Sequence, residues 1–157
     1  MPSRGKYIHW DNGGGFGPDD WRVVYRLIRD HVVRTVIEYG CGLSTELMMA
    51  VGMKVTSIET VHKYADIPDA VILECEYGKY PEFYKMFDLA FVDGPGAYEF
   101  ESKGIVPERR LSAEHAKRHS NLVYMHDGGL GQEECFKDDP EWTKIGGEDT
   151  GQVWRRR

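Results

Sequence analysis

Hydrophobic and polar positions change rhythm near residue 34, and the change separates a helix from a run of strands. Trp21, Val24, Tyr25, Ile28 and Val32 recur at the spacing of one buried helical stripe, so a helix is expected from Asp19 to about Val33. Asp19 and Asp20 supply its start, while Arg22, Arg26, Arg29 and Arg34 follow toward the negative end of its dipole. Beyond it lie short apolar runs rich in β-branched residues, each closed by Gly or an acid, at 35–39, 54–60, 70–74, 88–92 and 121–125. These predict five strands. Segments 44–51, 62–67, 82–86 and 107–119 fall between them as helices or turns, and the last has Pro107 in its first turn with Lys117, Arg118 and His119 at its end. Strands alternating with helices imply an α/β fold around a doubly wound, mainly parallel sheet. Residues 142–145 and 152–155, joined across a glycine-rich turn, read as a hairpin, so the sheet should finish in an antiparallel pair.

Composition narrows the function classes. A chain of 157 residues with 41% hydrophobic and 29% charged positions suits one globular domain, placed at 19–157 behind a glycine-rich arm at 1–18. Within that arm, His9-Trp10-Asp11-Asn12 beside Gly13-Gly14-Gly15 suits a lid over a pocket as well as a passive terminus. A net charge of −6 opposes the attraction that supplies most nucleic-acid affinity, so a polyanionic partner is not expected; Arg155-Arg156-Arg157 reads as a solvated tail. Cys41, Cys75 and Cys135 are odd in number and form no Cys-x-x-Cys pair, which predicts reduced thiols without a disulfide framework or zinc site. The apolar stretch around 47–53 is broken by Gly52 and is far shorter than the ~20 residues of a bilayer helix. With no apolar signal core at the amino terminus, the cytoplasm is the expected compartment.

Candidate chemistry starts at Val36-Ile37-Glu38-Tyr39-Gly40-Cys41-Gly42-Leu43-Ser44-Thr45, an apolar strand running through two glycines into a helix start. Gly40 and Gly42 permit a tight turn and close approach of backbone to a ligand, and Ser44 and Thr45 are placed to cap the helix. Glu59, at the end of the second strand and 17 residues after Gly42, is positioned to accept both ribose hydroxyls of an adenosine. Nicotinamide dinucleotides and S-adenosylmethionine share this pattern. A dinucleotide site usually has a third glycine where Thr45 stands, which favours the ligand without phosphate, and no Walker motif is present.

With these residues in view, the sequence resembles the class I S-adenosylmethionine-dependent methyltransferases, which have a Rossmann-like fold. The match rests on Glu38-Tyr39-Gly40-Cys41-Gly42 with Ser44, on Glu59, on Phe87-Asp88-Leu89-Ala90-Phe91-Val92-Asp93-Gly94-Pro95, and on the terminal hairpin. The resemblance implies that Glu38, Gly40 and Gly42 hold the methionine end, with Tyr39, Ser44 and Thr45 beside them. Glu59 would hold the ribose, Glu74 or Glu76 would reach the adenine, and Asp93 would face the reaction centre.

The fifth strand ends in His126-Asp127, at the same sheet edge as Asp93. Two catalytic versions follow. In one, His126 or Asp93 removes a proton from the methyl acceptor. In the other, Asp93 and Asp127 hold a divalent cation such as Mg²⁺, as in the catechol-type O-methyltransferases, although Gly128 replaces the Asn which that family carries next. His115 and His119, at i and i+4 on a helix, lack a third ligand nearby in sequence and are expected at the solvent face. Cys41 reads as a small packing residue, because nothing supplies an adjacent base. The expected function is methyl transfer to a small-molecule acceptor, with oxygen favoured because Asp93-Gly94-Pro95-Gly96 replaces the Asn/Asp-Pro-Pro-aromatic motif of base-modifying enzymes. A non-catalytic cofactor-binding module or partner subunit, an NAD-dependent oxidoreductase and a homodimeric state remain alternatives to be tested.

Overall fold

A computed structural model describes residues 16–62, 65–94, 108–127, 130–147 and 151–157. Its strands are β1 (Thr35–Tyr39), β2 (Lys54–Glu59), β3 (Val71–Glu74), β4 (Leu89–Val92), β5 (Leu122–His126), β6 (Trp142–Gly146) and β7 (Gly151–Arg156). The helices are α1 (Pro18–Asp30), α2 (Leu43–Ala50), α3 (Arg110–His119) and α4 (Glu134–Lys137). They build one seven-stranded sheet in the order β3-β2-β1-β4-β5-β7-β6. The first five strands pair in parallel, whereas β7 runs antiparallel to both β5 and β6. The expected doubly wound sheet with its antiparallel finish is therefore present, and β7 is the strand that joins the two parts.

Parallel strands covered on both faces bury every side chain, which is why β4 and β5 read as uninterrupted apolar runs. On one face, Val24, Leu27 and Ile28 of α1 and Met48 of α2 pack with Val36, Leu89, Phe91 and Tyr124. On the other, Ala113 and Ala116 of α3 and Phe136 of α4 pack with Ile37, Tyr39, Ala90, Val92, Val123 and Met125. The chain crosses from one cover to the other between β1 and β4, where the strand order reverses. Ligands of open α/β sheets bind at such a reversal, beyond the carboxyl ends of the strands.

Several expectations are corrected. The α1 stripe is turned toward Leu27, so Tyr25 stands exposed, and Val32 lies beyond the helix end with φ +52°. Segment 82–86 forms bends rather than a helix, residues 65–67 are not helical, and α4 had no counterpart in the sequence pattern. Arg155 and Arg156 belong to β7 and are no tail. The Arg156 guanidinium lies 4.9 Å over the Trp142 ring and donates to the Lys117 carbonyl at 2.7 Å. Apart from Phe16, Gly17 and Pro18, the arm and its His9-Trp10-Asp11-Asn12 segment lie outside the described residues, as do Pro107 and Gly128. No helix among the described residues is long and apolar enough to cross a membrane.

Candidate functional site

The glycine turn after β1 is fixed by backbone before any ligand is considered. Gly40 has φ +86°, donates to the Ile58 carbonyl at 2.8 Å, and lies against Gly94 at the end of β4. A Cβ on Gly94 would come within 2.8 Å of both Gly40 N and Tyr39 O, so these two glycines let strand ends touch. Asp93 N donates to Tyr39 O at 3.1 Å, which sets Asp93 beside the turn. Gly42 differs: among the described residues, a Cβ there would meet nothing within 4 Å. Of the two turn glycines, Gly42 is the one with open space above it for a ligand.

Beneath the turn lies a closed polar knot. Glu38 is 0% exposed, and its carboxylate accepts hydrogen bonds from the hydroxyls of Ser44, Thr45 (2.5 Å) and Ser57 (2.7 Å). Thr45 Oγ1 in turn accepts the Gly42 N–H at 3.0 Å and so caps α2. Burial pushes the Glu38 carboxyl up to about 7 against the opposing pull of these hydroxyls. Glu38, Ser44 and Thr45 therefore act from inside, shaping the turn. Tyr39 is also internal, its hydroxyl 2.6 Å from His115 Nδ1.

Glu59 ends β2 directly beside the turn. Its Oε1 accepts the N–H groups of Thr60 and Val61, and its Oε2 accepts the N–H (3.0 Å) and S–H (3.3 Å) of Cys41. The thiol is the weakest of these four donors, so the Oε2 side of Glu59 is the more loosely held. Burial and the neighbouring Glu59 push the Cys41 thiol well above its usual value, so it is no nucleophile. Of the two adenine candidates, Glu74 pairs with His62 (2.9 Å) and Glu76 with Lys79, both toward solvent.

The structure brings Asp93, His126 and Asp127 together, with ligand atoms within 4.8 Å of one another. His126 Nδ1 lies 2.8 Å from Asp93 Oδ1 and 3.3 Å from Asp127 Oδ2, and Nε2 lies 3.3 Å from Asp20 Oδ2. Burial works against a charged imidazole here, but hydrogen bonds and charge contacts with Asp127 and Asp93 outweigh it and push His126 up to about 10. The same contact holds the Asp127 carboxyl below its ordinary value. The three carboxylates that clamp the ring favour the charged imidazolium, which has no lone pair to accept a proton, so of the two expected bases, His126 and Asp93, Asp93 is the better placed. Asp127 has φ +56°, a left-handed conformation that Asp tolerates better than most residues.

Two partners of this cluster carried no functional signal in the sequence. Asp20, read there only as a helix start, accepts the Gly17 N–H at 2.8 Å, the Tyr124 hydroxyl at 3.3 Å and the His126 contact above. Arg109 is 4% exposed, donates to the His126 carbonyl at 2.9 Å and lies 3.4 Å from Asp93 Oδ1. His115 and His119 are buried, against expectation. Both His115 nitrogens are occupied, by the Tyr39 hydroxyl and the Pro81 carbonyl, and burial pulls its pKa down to about 4; His119 Nε2 pairs with Glu82 at 2.7 Å. His115 ties α3 to β1 through Tyr39, and His119 ties the end of α3 to Glu82.

A pH experiment checks the clamp. The His126 pKa is raised from 6.5 to about 10, so its contribution to stability is complete below pH 6.5 and is lost as pH rises through 10. In chemical denaturation, wild-type stability should therefore fall more steeply between pH 6.5 and 10 than that of His126→Gln. Parallel curves would show that the folded imidazole carries no held proton.

No family model and no curated protein matches this sequence. Solved structures do match. An O-methyltransferase from Bacillus cereus in complex with SAH (S-adenosylhomocysteine) is 14% identical with TM-score 0.62, over 92% of this chain and 84% of that one. The CcbJ methyltransferase from Streptomyces caelestis is 14% identical with TM-score 0.56, over 93% and 63%. The N-methyltransferase NodS from Bradyrhizobium japonicum WM9 is 12% identical with TM-score 0.52, over 87% and 91%. Strand order, the glycine turn and these likenesses agree that the chain has the class I S-adenosylmethionine-dependent methyltransferase fold.

Proposed function

We propose that this protein transfers the methyl group of S-adenosylmethionine to an oxygen of a small-molecule acceptor. The observation that carries the reading is the adjacency of an open turn and a charged cluster at one sheet edge. The space above Gly42 and the weakly held side of Glu59 suit an adenosine-bearing ligand, and Asp93 is tied to the same turn through Tyr39 O. When bound, S-adenosylmethionine supplies a sulfonium methyl group: a C–O bond forms as the S–C bond breaks, and sulfur keeps the electron pair.

The chain's own residues bind, orient and take the proton. Asp93 and Asp127 keep 23% and 46% of their side-chain surface exposed and offer carboxylate oxygens to an acceptor hydroxyl. A hydroxyl becomes strongly acidic as its oxygen is alkylated, so a carboxylate can accept its proton late in the step; Asp93, beside the turn, is placed to do so. Arg109 and His126 hold the two carboxylates in place, and most of the rate would come from alignment. The net charge of −6 and the carboxylates at the edge favour a small neutral or cationic acceptor over a nucleic acid.

Calorimetry with S-adenosylhomocysteine and NAD is the first test, with S-adenosylhomocysteine expected to bind and NAD to bind more weakly or not at all. Tighter NAD binding would overturn the reading. Methyl transfer from labelled S-adenosylmethionine to a panel of phenols, sugars and amines is the second. Asp93→Asn should lower turnover by about 10²–10⁴-fold while S-adenosylhomocysteine affinity stays within a few-fold. Cofactor binding with no transfer to any acceptor would favour a binding module instead.

A further inference from the structure

The divalent cation raised by the sequence does not fit the residues present, and the reason lies in which atoms are already shared. An ion bridging Asp93 and Asp127 inside the cluster would use the oxygens that contact His126 and Arg109, Asp93 Oδ1 and Asp127 Oδ2. Both already serve two nitrogens. His126 Nδ1 lies 2.8 and 3.3 Å from them, and Arg109 Nη1 lies 3.4 and 3.8 Å from them. Oxygen ligands close to ~2.0–2.6 Å around Mg²⁺ or Ca²⁺, so an ion at these oxygens would sit against a guanidinium that is 4% exposed and fixed by its bond to the His126 carbonyl. His126 would have to give up a carboxylate contact and a proton to serve as a ligand, since both ring nitrogens face carboxylates.

We propose that Arg109 is a built-in cation of this site, bridging Asp93 and Asp127 where a divalent metal would otherwise bridge them, and that its guanidinium keeps metals out. Three observations agree. Arg109 directly precedes α3, so its backbone is anchored at the start of a buried helix, and its N–H donates to the Leu130 carbonyl at 2.9 Å. The carboxylates of Asp93 and Asp127 already have a permanent cationic partner in Arg109 and a hydrogen-bonding partner in His126. A guanidinium cannot lose its proton, so unlike a bound ion this cation is present at every working pH.

The inference is read by cation binding on the full chain and so stands or falls separately from methyl transfer. Mn²⁺ is titrated by electron paramagnetic resonance into wild type, Asp93→Asn, Arg109→Gln and the Asp93→Asn/Arg109→Gln double variant, with circular dichroism to confirm folding. Wild type and Asp93→Asn should show the same weak surface binding. Arg109→Gln, which removes the charge and shortens the side chain, should bind one Mn²⁺ at least tenfold more tightly than wild type, and the double variant should lose that gain. Tight wild-type binding that Asp93→Asn abolishes would overturn the proposal, as would a folded Arg109→Gln with no gain. If Arg109→Gln fails to fold, Arg109→Met takes its place in the same titration, and a folded Arg109→Met with no gain would equally overturn the proposal.

Discussion

Glu38→Ala is expected to destabilise the protein by about 3–5 kcal/mol, enough to unfold much of it at moderate temperature. The loss comes from what stays behind. Ser44, Thr45 and Ser57 all direct hydroxyls at this one carboxylate, and all three are buried. Removing the acceptor leaves three donors without water or partner, each worth about 1–3 kcal/mol before relaxation. Thr45 would also lose the bond that fixes its hydroxyl for capping Gly42 N, so the glycine turn should loosen with the core. Urea denaturation monitored by tryptophan fluorescence measures the effect, and a loss under 1 kcal/mol would show that the knot is replaceable. Glu38→Gln gives an independent check through pH. Because the folded carboxyl is raised from 4.5 to about 7, wild type carries its full contribution below pH 4.5 and loses it as pH rises through 7. Gln does not titrate, so the stability difference should shift toward Glu38→Gln above pH 7.

Much of this architecture was legible in the sequence for a physical reason. β1, β4 and β5 are buried on both faces, so apart from Glu38 and His126 they are apolar runs, and such runs stand out against glycine and acid. β1 matches its expected bounds, and the others differ by a residue or so at an end. The helices were harder where burial is not apolar. On α3 the buried residues are Ser112, Ala113, His115, Ala116 and His119, a regular helical stripe that a purely hydrophobic reading passes over because three of its five members are polar. That stripe was the available signal for His115 and His119. Asp20 and Arg109 had none of this kind. Asp20 meets His126 across 106 positions of sequence, and a buried arginine is explained only by the carboxylates that surround it in space. Asp93, His126 and Asp127 were brought together by a rule about strand ends, but the charge on His126 depends on three carboxylates converging, which no local spacing encodes.

The two glycine contacts at the sheet edge separate folding from ligand binding in one pair of variants. Gly42→Val should abolish S-adenosylhomocysteine binding while leaving stability within about 1 kcal/mol of wild type. Its Cβ would enter space that no described residue occupies within 4 Å, and the backbone there is extended, with φ 169°, so the fold has little to lose. A ligand lying over the turn would lose that space entirely. Gly94→Ala should do the reverse. Its Cβ would press to 2.8 Å against Gly40 N and Tyr39 O, both backbone atoms tied into the β1–β4 junction, and the strand ends would have to part. Overpacking of this kind typically costs about 1–3 kcal/mol, so Gly94→Ala should melt early even without ligand. Thermal melts with and without S-adenosylhomocysteine read both effects at once: wild type gains a ligand-dependent rise, Gly42→Val melts like unliganded wild type in either condition, and Gly94→Ala begins lower. If Gly42→Val kept the ligand-dependent rise, the cofactor would not pass over this turn and its binding site would have to be sought elsewhere along the sheet edge.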